Sequence, residues 1–250
     1  MSRRKPAGST WIWMIAILAS ALPPTTQAAS PPDLTGIWAA ADATGPRGAG
    51  AAANQVFALR PEARQRHAAF NAIVEPTGAT PGGVCLGAGM PAAILGAGGY
   101  PMEIIQRPEQ ITIIYELHGE TRRIYFGSRN IPEADRVPGR NGYSSGHWED
   151  DVLVVETNNL VEQLDQRTTP HSDEATIVER YRLAGTDNQG RRILTVELTM
   201  TDPVFYSAPV VLTRRWAEVP NGHLMPYECN EEAWLDRIEE LARQAGAKVP

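Results

Sequence analysis

Positive charge is in deficit in this chain: 23 Lys and Arg face 29 Asp and Glu, a net charge of −6. Nucleic acid and anionic bilayer surfaces demand a basic footprint, so both are poor partners for it. Long apolar runs are scarce too. The run Trp11–Leu22 falls short of the ~20 residues that a membrane span needs, so no stable membrane insertion is expected. There is no phosphate-cradling loop, no dinucleotide fingerprint and no Cys-x-x-Cys, which leaves phosphoryl and hydride transfer without footing. The closely spaced Ser144 and Ser145 lack an identifiable base, so serine hydrolysis is not expected. No cofactor is implied by any motif.

What is present begins with a leader. Arg3, Arg4 and Lys5 precede the apolar run, Pro23-Pro24 ends it, and Thr26-Gln27-Ala28 offers small residues to a peptidase. Residues 1–28 read as a signal peptide, cleaved after Ala28, which makes the protein periplasmic or secreted. Losing three cations and no acids takes the net charge from −6 to −9. A neutral or weakly charged small molecule suits such a surface better than a polyanion. An oxidising compartment also favours a disulfide between the two cysteines, Cys85 and Cys229, with two buried free thiols as the alternative. The bridge would tie the glycine-rich segment to the C-terminal region.

Residues 29–250 read as one domain. A short first strand surrounds Gly36-Ile-Trp38, and Arg60–Phe70 reads as a helix with Pro61 at its first position. Residues 76–100 are dense in Gly, Ala and Pro and read as a loop or lid. Period-two strands then follow over Met102–Gln106, Gln110–Leu117, Thr121–Gly127, His147–Asn158, Ala175–Leu183, Arg191–Thr201 and Val210–Val219. No helical crossover separates them, so antiparallel pairing is favoured. The expected fold is all-β: an up-and-down antiparallel barrel of about eight strands, with a short helical insertion near its start and a C-terminal helix over 230–246. Such a barrel closes its edges and holds one small ligand. In the final helix Asn230 would cap, and Trp234, Ile238, Leu241 and Ala245 repeat at helical spacing.

Alternation along the strands singles out the chemistry. Glu116, Glu156 and Glu179 each share a strand face with branched apolar residues, and Arg122, Arg123, Arg180 and Arg214 lie on neighbouring strands. Inward Glu–Arg pairs beside Tyr115, Tyr125 and Tyr181 would shift pKa values as acid–base chemistry requires, or would anchor a ligand. His147-Trp148-Glu149 and His171-Ser-Asp173 each set an imidazole two residues from a carboxylate. Lacking a third histidine, they fall short of a metal centre, and none is expected. His171 with Asp173 instead suits proton transfer.

Two resemblances follow from named residues. Gly36-Ile-Trp38 and Arg214-Arg-Trp216 are similar to the lipocalin/calycin signature, in which a Trp at the closed end of the barrel packs under an Arg from the final strand. That resemblance implies architecture only. Tyr100–Gln106, Ile114-Tyr-Glu116, Arg123-Ile-Tyr125, Gly146–Thr157, His171-Ser-Asp173 and Val178–Tyr181 resemble a large family of exported bacterial proteins with a Gly-His-Trp-Glu-Gly-Asp-Thr-Leu-Val-Val-Glu-Thr core. This chain has Asp150 and Val152 where that core has Gly and Thr.

Two functions remain open. One is a cofactor-independent lyase, isomerase or hydratase acting on a small, largely apolar molecule. Glu156 or Glu116 would be its base, His171 its proton shuttle with Asp173 orienting the ring, and Arg123 or Arg180 its oxyanion stabiliser. The other is a lipocalin-like binding protein. In either, Tyr115, Tyr125, His147, Trp148, Glu179 and Tyr181 would contact the ligand.

Overall fold

The inner faces of nine strands meet around a single apolar core, which is why the sheet curls until its edges join. The structure is a computed structural model and describes residues 30–41, 59–78, 81–96, 99–166 and 168–228, together with Asp236, Glu239, Glu240, Arg243 and Gln244. The strands are β1 (Gly36–Ala40), β2 (Met102–Arg107), β3 (Gln110–Tyr115), β4 (Thr121–Tyr125), β5 (Tyr143–Glu149), β6 (Val152–Asn158), β7 (Thr176–Thr186), β8 (Arg192–Thr201) and β9 (Val210–Glu218). Each pairs with the next, and β1 closes on β9 through Trp38 with Glu218 and Ala40 with Trp216. Helix α1 (Pro61–Val74) lies between β1 and β2 and buries only Ala63.

The expected all-β barrel is therefore observed, with two corrections. His147–Asn158 is not one strand but a hairpin: the chain turns at Asp150 and Asp151, where Asp150 adopts a φ of 52°. A short acidic side chain tolerates that left-handed conformation, which two-residue hairpins of this kind require. Secondly, one neighbouring pair is parallel. Strands β4 and β5 run side by side at Ile124–Ser144 and Tyr125–Ser145. Parallel neighbours cannot be joined by a tight turn, so residues 126–142 must travel back along the barrel. Tyr143 secures this connection: its hydroxyl donates to Asn130 Oδ1 at 3.0 Å and accepts from the Ile131 amide at 2.7 Å. Its ring stacks on Tyr125 and lies under Arg136.

The registers give the barrel two ends. At one, Trp38 is wholly buried and donates from its indole to the Leu34 carbonyl. The guanidinium above it is that of Arg192, from the start of β8, and not one from β9 as the calycin resemblance implies. Arg192 also grips Glu218 bidentately and donates to the Asp33 and Thr35 carbonyls, joining the first residues of the domain to its last strands. The opposite end is covered by residues 86–96. There Met90 and Ile94 are fully buried in the barrel's core cluster, so much of the predicted lid is a plug with apolar teeth. The expected signal peptide falls outside the described residues, as do Cys229 and the expected cap and apolar stripe of a C-terminal helix. The five described residues of that segment are helical.

Candidate functional site

The middle of the barrel is polar. Inward positions of β4 to β7 bring Arg122, Ser144, Thr157, Glu179 and Tyr181 together, all essentially excluded from solvent. Each lies on the inner face because alternation puts apolar partners beside it: Ile124 on β4, Val155 on β6 and Ile177 on β7. Arg122 organises the group. Both terminal nitrogens donate to Glu179, Nη1 to Oε1 at 3.0 Å and Nη2 to Oε2. Nε donates to Ser144 Oγ at 3.0 Å and Nη2 to Thr157 Oγ1 at 2.8 Å. Tyr181 adds its hydroxyl to Glu179 Oε1 at 2.8 Å. A buried charge pair survives only when its remaining donors and acceptors are also satisfied, and here they are.

The electrostatics follow from this closure. Burial alone would push Arg122 down, but the facing Glu179 carboxylate and the two tyrosines reverse this and hold it well above its ordinary value. Burial and the Glu179 charge push the Tyr181 phenol up, so it stays a donor. Tyr115 is raised chiefly by burial as well. Unlike Tyr181, its hydroxyl is buried with no hydrogen-bond partner among the described residues.

Tyr115 stands where the polar centre meets the plug. A cleft there, with room for about one water molecule, is lined by Ala88, Ala93, Gly96, Tyr100, Tyr115 and Glu120, among others. The plug above is held through its main chain. Arg140 donates to the Gly87 and Ala88 carbonyls and pairs with Asp165; Gln166 donates to the Met90 carbonyl at 2.8 Å, and Glu120 accepts from the Gly89 amide. The fit is close. A Cβ on Gly89, at φ 70°, would come within 2.6 Å of Gln163 Oε1, and one on Gly96 within 3.1 Å of Arg214 Nη2. The C-terminal strap passes nearby: Tyr227 packs edge-on against His118 and Tyr100, and the Met225 amide donates to Glu116.

Of the residues predicted from sequence, Tyr115, Glu179 and Tyr181 lie together inside with Arg122, the one of the four named arginines that pairs with an inward glutamate. The others do not join them. Glu156 is exposed on the outer face of β6, opposite to the inner Val155 and Thr157. Arg123 and Arg180 alternate outward beside Arg122 and Glu179, and Arg180 pairs with Glu149 on the surface. Glu116 sits in the turn after β3 and holds the strap. His147 is exposed next to Glu149, while Trp148 packs partly against the core. Tyr125 belongs to the stack that secures the β4–β5 connection. His171 is wholly buried in a loop, donating from Nδ1 to the Thr169 carbonyl and accepting from Gln163. Burial pushes it down. Asp173 is exposed and does not orient it. Cys85 is described and is not a free thiol.

Sequence reasoning missed Ser144 and Thr157 as partners of Arg122; their inward positions follow only from the hairpin at Asp150. It also passed over the letters Gly142-Tyr-Ser144-Ser-Gly146, which spell a nucleophile elbow. The context refutes that reading: Ser144 lies within an extended strand rather than a strand-to-helix turn, and its hydroxyl is taken by Arg122 and Thr157. Among the described residues no three His, Cys, Asp or Glu gather as metal ligands, and no helix is long and apolar enough to cross a membrane. Comparison of the chain with protein-family models, curated proteins and solved structures finds no match.

Proposed function

We propose that this chain is an exported, calycin-like barrel that binds a small, largely apolar molecule at its plugged end without transforming it. The observation that carries this reading is the saturation of the inner polar group. Glu179 accepts from Arg122 at both oxygens and from Tyr181 at one, and it is wholly buried, so its carboxylate is held as the counter-charge of Arg122 rather than presented to a substrate proton. A general base must reach the proton that it takes. The other acids named for that role point away from the interior, and His171 spends both ring nitrogens on the loop that carries it. The cluster instead reads as a rigid floor under an apolar mouth.

Ligand entry then requires movement of residues 86–96. That movement has to withdraw Met90 and Ile94 from the core and release the main-chain bonds from Arg140 and Gln166 together, so the segment would leave and return as a unit. The test is incubation of the purified protein with a pool of neutral aromatic and terpenoid compounds, followed by mass spectrometry against a heat-killed control. Depletion of a compound in proportion to protein, with no new mass, is the expected result. Conversion far beyond the molar amount of protein would restore the lyase, isomerase or hydratase reading. No depletion at all would leave the filled barrel as a purely structural module.

A further inference from the structure

We infer that the plugged end recognises its ligand by a neutral carbonyl oxygen accepting a hydrogen bond from the Tyr115 hydroxyl, and that it discriminates against carboxylates. This deepens, and rests on, the reading of the barrel as a small-molecule binder. Buried hydroxyls are nearly always paired, because an unpaired one forfeits its hydration for nothing. Tyr115 is only 4 % exposed and its hydroxyl has no partner among the described residues, yet it lines the cleft beneath the plug. Its phenol is pushed up by burial, so it remains a donor in search of an acceptor.

The surroundings decide which acceptor. Arg122 is already engaged by both oxygens of Glu179, so an incoming anion would meet no unpaired positive charge from it, and the other buried arginine near the cleft, Arg214, borders it behind Gly96. After burial, the charge of Arg122 bears most on Tyr115 and is opposed by that of Glu179, while Glu120 adds a carboxylate on the rim of the cleft. A carboxylate ligand would therefore be desolvated beside Glu120, with the single Tyr115 O–H too little to compensate its charge. A ligand hydroxyl would accept from Tyr115 but leave its own O–H to be placed, whereas a carbonyl is acceptor only. Ala88, Ala93, Pro101 and Leu117 supply apolar walls for the remainder of the molecule.

The test uses the neutral fluorescent probe N-phenyl-1-naphthylamine, displaced by 2-decanone or by decanoate, on the wild type and on Tyr115→Phe. The probe's affinity is measured on each protein first, so that ketone and acid are compared as inhibition constants. On the wild type, 2-decanone should displace it at concentrations at least about tenfold lower than decanoate, the margin expected for an uncompensated buried charge. Tyr115→Phe should weaken the ketone by about 2- to 12-fold, the worth of one hydrogen bond. The variant should melt no lower than the wild type, since it loses only an unpaired hydroxyl. Equal displacement by ketone and acid, or a Tyr115→Phe protein that holds the ketone as tightly, overturns the anchor and leaves the binding reading standing. If neither probe nor ketone binds, both fall together.

Discussion

Replacing Arg122 by Met should be among the most damaging single changes in the molecule, and the size of the damage can be worked from its surroundings. The side chain donates to Ser144, Thr157 and both oxygens of Glu179. Without it, Glu179 keeps one donor, the Tyr181 hydroxyl, and remains a carboxylate in a site with no solvent access. Breaking a buried pair from one side costs about 3–5 kcal/mol, because the surviving charge is left uncompensated. At 2–4 °C per kcal/mol for a domain of this size, the melting temperature should fall by about 6–20 °C. The double variant Arg122→Met/Glu179→Leu removes both charges and should regain most of that loss, since apolar replacements of a buried pair are often neutral. The assay is a double-mutant cycle by calorimetry or urea unfolding, with Glu179→Leu as the other single variant. A coupling of at least ~2 kcal/mol is expected for groups in one network. Additive losses, or a shift below about 3 °C for Arg122→Met, would refute the claim that the pair is sealed from water.

Two further outcomes are expected. Burial holds His171 below its ordinary value of 6.5, with the Thr169 carbonyl, Asp202 and Asp165 opposing that shift and Arg140 assisting it. The unfolded chain therefore takes up a proton before the folded one. Stability should fall as the pH drops below about 6.5, by up to ~1.4 kcal/mol per pH unit, and His171→Gln should flatten urea-unfolding stability between pH 7.5 and 5.5. Identical pH slopes for the two proteins would contradict this. Cys85 is expected to pair with Cys229, so non-reducing peptide mapping should yield one cross-linked fragment containing both; two alkylatable thiols would exclude the bridge.

The barrel was legible because most strands alternate cleanly. In β7, Ile177, Glu179 and Tyr181 oppose Thr176, Val178 and Arg180, and the inner row is read directly from the letters. The β5–β6 hairpin was not, because Glu149-Asp150-Asp151 contains no glycine to mark the turn. A glycine at position 150, as in the core that this stretch resembles, would suit the left-handed backbone found there. Strand β6 hid its face for another reason. Val152 to Val155 are all buried, so period two gives no side to Glu156. The Arg122–Glu179 pair joins strands that are not neighbours in the sheet, and only the curvature of a closed barrel brings them face to face. Residues 86–96 looked like a simple loop because glycine and alanine dominate; Met90 and Ile94, four apart, were the signal that part of it is core.

The parallel junction has a mechanical consequence. The ladder between β4 and β5 is the shortest in the barrel, Ile124–Tyr125 against Ser144–Ser145, and β1 adds only three register pairs to each of its neighbours, β2 and β9. At the β4–β5 and β1–β9 ladders an arginine acts as a rivet. Arg122 reaches from β4 into β5, β6 and β7, and Arg192 reaches from β8 to the carbonyls just before β1. The barrel is thus fastened there by side chains more than by backbone, and the amides of the β4–β5 junction should exchange with solvent before those of the long β7–β8 ladder.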